Sequence, residues 1–239
     1  MRHLSFRDRF LALFFRRNWP GFETLYRRMG SPAIFVITRY GSVAGLDPRE
    51  SADCEVLLSG YRESEMLRAL RPFLREKAVF WDAGGSGLHA VTAKLAVPEL
   101  VVHAFESGID RFQKLLANVS ASVVNVHPWP VGLHNAPDDG TGENILTRGE
   151  TFIDGGFAPT PDILKIEGDG ISAITGMGKY LSKIEAVAVT ACDKSSQSQA
   201  ETLLTRAGFE IHPSVSDAWL LATRKKRNRR PLREKISTT

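Results

Sequence analysis

One stretch limits the folds open to this chain more than any other. Lys77 to Glu106 reads KAVFWDAGGSGLHAVTAKLAVPELVVHAFE: an apolar run, an acid and three glycines, a helical segment, then a second apolar run that ends in an acid. Val79, Phe80 and Trp81 suit a strand buried on both faces. Gly84, Gly85 and Gly87 permit a tight turn and the close approach of a ligand to the backbone. Leu88 to Ala96 supplies a crossover helix, and Leu100 to Phe105 a second strand that delivers Glu106 at its carboxyl end. The order is that of a βαβ unit. Ligands of open α/β sheets sit beyond the carboxyl ends of the strands, so Asp82 and Glu106 should flank one crevice.

The glycines alone are equally the mark of an ordinary strand-to-helix turn, and the acid ahead of them narrows the choice. A dinucleotide lays its pyrophosphate on the helix N-terminus, where a neighbouring carboxylate would repel it. A cationic ligand without phosphate fits better. S-adenosylmethionine combines a sulfonium, an amino group and an adenosine ribose. Asp82 would then lie near its methionine end, and Glu106, roughly 20 residues past the glycines, would accept hydrogen bonds from the ribose hydroxyls.

Three blocks extend this reading along the chain. DPRESADCEVLLSGYRESEML runs from Asp47 to Leu67; VFWDAGGSG, from Val79, is followed by FES at Phe105; and PDILKIEGDG runs from Pro161 to Gly170. Together they resemble the S-adenosylmethionine-dependent methyltransferases, and within these the FkbM-type O-methyltransferases, over a span from about Asp47 to about His212. The cofactor site read from the blocks comprises Asp82, Ala83, Gly84, Gly85, Gly87, Glu106 and Ser107. The resemblance implies S-adenosyl-L-methionine as cofactor and a small-molecule or sugar-type hydroxyl as acceptor. Lys165, Glu167 and Asp169 match the family's third block. Lys165 and Glu167, at the end of a central strand, are the candidates to orient the acceptor or handle its proton. Asp169 is a catalytic candidate that could instead cap the following helix, and an ion pair is the structural alternative for Lys165.

Some positions depart from the family pattern. Ser86 stands for its usual Asn, Leu88 or Gly87 meets its last Gly according to the gap chosen, Glu167 stands for Asp, Gly168 for an apolar residue and Ser172 for an acid. Lengthening a carboxylate by one methylene disturbs a tuned geometry, since a misplacement of about 1 Å can cost about 100-fold in rate. A catalytically degenerate cofactor-binding or scaffold protein is therefore one rival reading. A nucleic-acid methyltransferase is another, suggested by the basic ends but without an Asn-Pro-Pro-Tyr motif or a catalytic cysteine motif.

The remaining chain fits one α/β domain with extensions. Its 239 residues hold no apolar run of membrane-spanning length and no signal-peptide pattern. Cys54 and Cys192 lack metal-ligand spacing and imply a reducing, cytoplasmic setting; no metal site is read. The net charge of +4 hides an asymmetry. The first 30 residues interleave arginines with Phe6, Phe10, Phe14, Phe15 and Trp19, as a basic amphipathic helix does, either packed on the domain or docked on an anionic membrane surface or partner protein. Arg224 to Lys235 is a dense basic tail without stacking aromatics, which weakens a nucleic-acid role. Residues 1–50 thus form an N-terminal helix and hairpin cap, 51–224 the methyltransferase-like domain, and 225–239 the tail.

A doubly wound, mostly parallel seven-stranded sheet ending in an antiparallel hairpin follows from the element order. After a hairpin over Ile34–Thr38 and Ser42–Leu46, helices are expected over 50–60 and 63–74, the second kinked at Pro72. Strands are expected at 79–82, 101–105, 122–126, 162–166, 185–190, 208–212 and 218–223, with helices at 88–96, 109–119, 171–181 and 196–207. The Gly- and Pro-rich stretch from Pro128 to Pro159 exceeds an ordinary loop, and Asp138 to Glu143 should help cover the substrate. His127 and His134, at its start, are capping residues or proton acceptors according to where they point. Glu167, Asp169 and Asp193 lie at strand ends where a divalent ion could be held.

Overall fold

A computed structural model describes residues 34–47, 53, 56, 64–136, 145–190, 193–212 and 219–224. The arginine-rich N-terminus, the basic tail, both cysteines and Asp138 to Glu143 lie outside these residues. The described residues begin with an antiparallel hairpin, β1 (Ile34–Ile37) and β2 (Val43–Leu46), turning at Gly41, whose φ of 86° suits glycine. Helix α1 (Ser64–Leu70) follows. It stops before Pro72 where a kink is expected, because proline disfavours helical geometry in the residue before it and lacks an N–H. Then come β3 (Val79–Ala83), α2 (Leu88–Ala96), β4 (Val101–Phe105) and α3 (Ile109–Ser122).

The expected strand over 122–126 is displaced. Ser122 is the last residue of α3, Val123 takes a left-handed conformation with φ 52°, and β5 spans His127–Trp129. The three valines of this stretch read as a strand, but tertiary contacts hold the helix together. Ser122 Oγ accepts from Val43 N–H at 2.9 Å, and Asn118 Oδ1 from Gly45 N–H at 2.7 Å, so the last turn of α3 is tied to the hairpin.

The long connection carries structure of its own. Two-residue strands β6 (Gly132–Leu133) and β7 (Leu146–Thr147) pair in parallel, and α4 (Gly149–Asp154) follows. The chain continues through β8 (Ile163–Glu167), α5 (Gly170–Gly176), a 3₁₀ turn (Gly178–Lys183), β9 (Ala186–Thr190), α6 (Lys194–Arg206), β10 (Phe209–His212) and β11 (Trp219–Arg224). The main sheet has seven strands in the order β10-β11-β9-β8-β3-β4-β5. β9, β8, β3, β4 and β5 run parallel, and β11 is antiparallel to both its neighbours. The sheet is the doubly wound, mostly parallel one expected, with its antiparallel end.

Two apolar layers cover the sheet. On one face Phe80, Val102 and Ile163 pack with Met66, Leu70, Leu88, Leu115 and hairpin residues Ala44 and Leu46. On the other Trp81, Phe105, Leu164 and Ile166 pack with Phe152, Ile174, Leu204 and Phe209. β3 and β8, buried on both faces, place their carboxyl ends between the layers. Among the described residues, no helix is long and apolar enough to cross a membrane.

Candidate functional site at the carboxyl edge of the sheet

Asp82 is the penultimate residue of β3 and is 2% exposed. Its Oδ2 accepts from Ala90 N–H, in the first turn of α2, at 3.0 Å. That helix starts on Gly87 without a side-chain cap of its own, so the strand acid takes one of its orphan donors. The other oxygen lies 3.1 Å from Lys165 Nζ. Burial pushes the Asp82 carboxyl above its ordinary range, and the ammonium beside it offsets part of that. Asp82 does not merely stand near the helix N-terminus; it fills the place an anion would take there.

Lys165 projects from β8 beneath the glycine turn and is 1% exposed. Its ammonium meets Glu167 Oε2 at 3.0 Å and donates to Gly84 O at 3.2 Å, besides pairing with Asp82. The ion pair named as the structural alternative is present, and Lys165 ties β3, β8 and the turn together. Gly84, Gly85 and Gly87 all have positive φ, at 89°, 94° and 71°. A Cβ at Gly84 would lie 2.5 Å from Glu167 O, one at Gly85 2.9 Å from Glu167 Oε2, and one at Gly87 would strike Leu115. The protein's own packing therefore requires these glycines, independently of any ligand.

Glu106, one residue beyond β4, is 2% exposed. Its oxygens accept from Gly85 N–H at 3.0 Å and Gly108 N–H at 2.8 Å, and Arg111 Nε stands 3.3 Å away. A carboxylate has about four acceptor positions, so two remain for hydroxyl donors once these N–H groups are met. Ala83 and Ser107 sit beside the same cleft. The guanidinium of Arg111, 67% exposed, lies over Glu106 and was not singled out in the sequence.

Asp169 caps α5, Oδ1 accepting from Ser172 N–H at 3.0 Å, which is the alternative role read for it. Burial works to raise its carboxyl, but the bonds from Ser172 and the neighbouring His134 outweigh that and hold it below the ordinary range. His134 Nε2 is 3.8 Å from Asp169 Oδ2. His127 points elsewhere: it is exposed on edge strand β5 and stacks on His103 with ring centroids 4.8 Å apart. Asp193 caps α6 through Ser196. Among the described residues, no three His, Cys, Asp or Glu side chains converge as metal ligands do.

Two clefts meet along this edge. The larger, about 480 Å³, lies between the glycine turn, the hairpin and α3; the smaller, about 200 Å³, lies between Glu106, the β6 strap and the end of β8. Gly84, Arg111 and Glu167 border both. Among the described residues, seven carboxylates and three Lys and Arg side chains line the two clefts. Asp82, Ala83, the glycines, Glu106, Ser107, Lys165, Glu167 and Asp169 are all brought to this edge. Sequence reading missed Asn118, Arg111 and His103. The signal for Asn118 was a polar residue three positions after Leu115 on the buried stripe of α3; the other two left none.

No protein-family model matches the chain. In an alignment 149 residues long that covers 53% of this chain and 61% of the other, it is 25% identical to the hexuronic acid methyltransferase AglP of Haloferax volcanii. Among solved structures, it is similar to the precorrin-6y C5,15-methyltransferase of Geobacter metallireducens, with TM-score 0.52 and 18% identity over 68% of this chain and 87% of the other. It is also similar to a SAM-dependent O-methyltransferase of Thermotoga maritima, with TM-score 0.51 and 14% identity over 83% and 80%. At such identities the likeness to the solved structures is one of architecture, and the chain has the Rossmann-like α/β fold of these methyltransferases.

Proposed function

We propose that the protein is an S-adenosylmethionine-dependent methyltransferase acting on a hydroxyl of a sugar-type acceptor. The observation that carries this reading is the charge of the clefts around the glycine turn. Among the described residues, seven carboxylates against three Lys and Arg suit a cationic ligand, and Asp82 occupies the helix N-terminus that a phosphate would need. The fold supports it, as do the FkbM-like blocks and the similarity to a hexuronic acid methyltransferase.

The residues present fit the cofactor. Glu106, at the strand end next to the glycine turn, has acceptor positions left for a diol once Arg111 swings aside. Asp82 and Lys165 fix the turn from below, and Glu167 and Asp169 border the space an acceptor would enter. When bound, S-adenosylmethionine supplies an electrophilic methyl group on a sulfonium. The chain's part is to align the acceptor oxygen, exclude water and remove one proton.

Calorimetry with S-adenosylhomocysteine tests the reading: binding is expected, and none at millimolar ligand would remove it. Glu106→Gln should weaken that binding by about 1.5–3 kcal/mol, the scale of a hydrogen bond to a charged group. Equal affinity would place the ribose elsewhere. A second reading, cofactor binding without turnover, is favoured by the engagement of Lys165 at 1% exposure. Binding without methyl transfer to any sugar in an acceptor panel would select it.

A further inference from the structure

His134 and Asp169 reach the smaller cleft from different elements, and the backbone fixes both. His134 follows β6 and donates its N–H to Thr147 O at 2.8 Å, while its carbonyl abuts Gly176 of α5 so closely that a Cβ there would collide with it. Asp169 is fixed as the cap of α5 by Ser172. The 3.8 Å between Nε2 and Oδ2 is too long for a hydrogen bond. Both atoms are left able to accept a proton from a third group. At Nδ1, Ala136 presents its carbonyl and its N–H each at 3.3 Å, so Nδ1 can hold the proton against Ala136 O, leaving the lone pair on Nε2. Two acceptors so spaced match two adjacent hydroxyls of one sugar ring.

We propose, building on the methyltransferase reading, that the acceptor is a vicinal diol, with one hydroxyl donating to His134 Nε2 and its neighbour to Asp169 Oδ2. The first hydroxyl is the one methylated. Its O–H bond breaks toward Nε2 as the oxygen bonds to the methyl carbon, and the electron pair of the breaking carbon–sulfur bond stays on sulfur. His134 ends as an imidazolium beside the Asp169 carboxylate, which stabilises the new charge. Glu106, Glu167 and Arg111 border the same cleft and set the remaining field.

The test combines acceptor binding with kinetics. Asp169→Asn keeps an oxygen for the helix cap while removing the charge. With S-adenosylhomocysteine bound to the full chain, it should weaken binding of methyl glucuronoside in calorimetry by about 10-fold or more. The probes for transfer are methyl glucuronoside and its single-deoxy analogues. His134→Asn should lower kcat on the glucuronoside by about 100-fold or more, with S-adenosylhomocysteine affinity unchanged within a few-fold. Asp169→Asn should raise KM and move the acid limb of kcat to lower pH, and removing the hydroxyl next to the methylated one should have a similar effect on KM.

Unchanged acceptor affinity in Asp169→Asn overturns the proposal, as does near wild-type turnover in His134→Asn or loss of cofactor affinity parallel to loss of rate. If the wild type methylates neither probe, acceptor binding decides alone, and no binding of the glucuronoside to the complex overturns the proposal. Failure to bind S-adenosylhomocysteine at all would sink the methyltransferase reading instead.

Discussion

A buried ammonium is tolerated only when every charge around it is answered, and at Lys165 three acceptors do so. Lys165→Met should cost about 3–5 kcal/mol in urea denaturation, because it leaves Asp82 buried without its counterion. Asp82→Asn combined with Lys165→Met should recover much of that loss; an additive double mutant would show that the two do not act as a pair. His103 makes a second case. It is 4% exposed on β4, its Nδ1 accepts from Trp129 Nε1–H at 3.0 Å, and burial with His127 alongside lowers its pKa to about 4. The folded pKa lies below the unfolded value of about 6.5, so its contribution is complete above pH 6.5 and is lost as pH falls through 4. Unfolding free energy should fall by about 2 kcal/mol between pH 7 and 5 from this residue. His103→Phe should remove that part of the slope, and an unchanged slope would mean the imidazole is not held neutral.

At the scale of elements, the glycine turn couples strand, helix and neighbouring strand through contacts no side chain would permit. Gly87 starts α2 at φ 71°, with Leu115 packed where a Cβ would sit. Gly87→Ala should therefore cost more than the 1–2 kcal/mol or so of left-handed strain alone, read as a drop in Tm. Gly41→Ala, equally left-handed but with open space around it, should cost only the strain. Equal losses would mean that the packing around Gly87 relaxes. The βαβ unit, the sheet's length and its antiparallel end were legible because their apolar runs and punctuation are local. β5 was not: the valines after Ser122 have strand propensity, and what extends α3 through Ser122 is its bonding to a hairpin 79 residues away in sequence. The glycines were legible as a turn, but their reason was not, since Glu167 and Leu115 meet them only in the fold. Likewise the sequence put Asp82 and Glu106 at one crevice, whereas Asp82 lines the larger cleft and Glu106 the smaller, and it did not disclose that Asp82 caps α2 or that Arg111 covers Glu106.

In the molecule as a whole, the hairpin cap, α3 and the glycine turn are joined through one buried amide. Asn118 is 1% exposed; its Oδ1 accepts from Gly45 N–H at 2.7 Å and its Nδ2 donates to Ser86 O at 2.9 Å. The cap is held independently at Ser122, whose Oγ accepts from Val43 N–H and donates to Val43 O at 3.3 Å, both in the hairpin. The two residues thus separate fastening of the cap from support of the ligand edge. Asn118→Ala should destabilise the domain by about 1–3 kcal/mol for each group left unpaired, and it should weaken S-adenosylhomocysteine binding as well, because the Ser86 carbonyl loses its restraint inside the turn. Ser122→Ala should lower stability on a similar scale, since it unpairs Val43 N–H, while leaving binding within a few-fold of wild type. Denaturation and calorimetry on the same two variants read the two effects apart. If binding suffers equally in both, the hairpin as a whole shapes the cleft; if it suffers in neither, the amide is a fastener only and the turn holds its geometry through Asp82, Lys165 and Glu106.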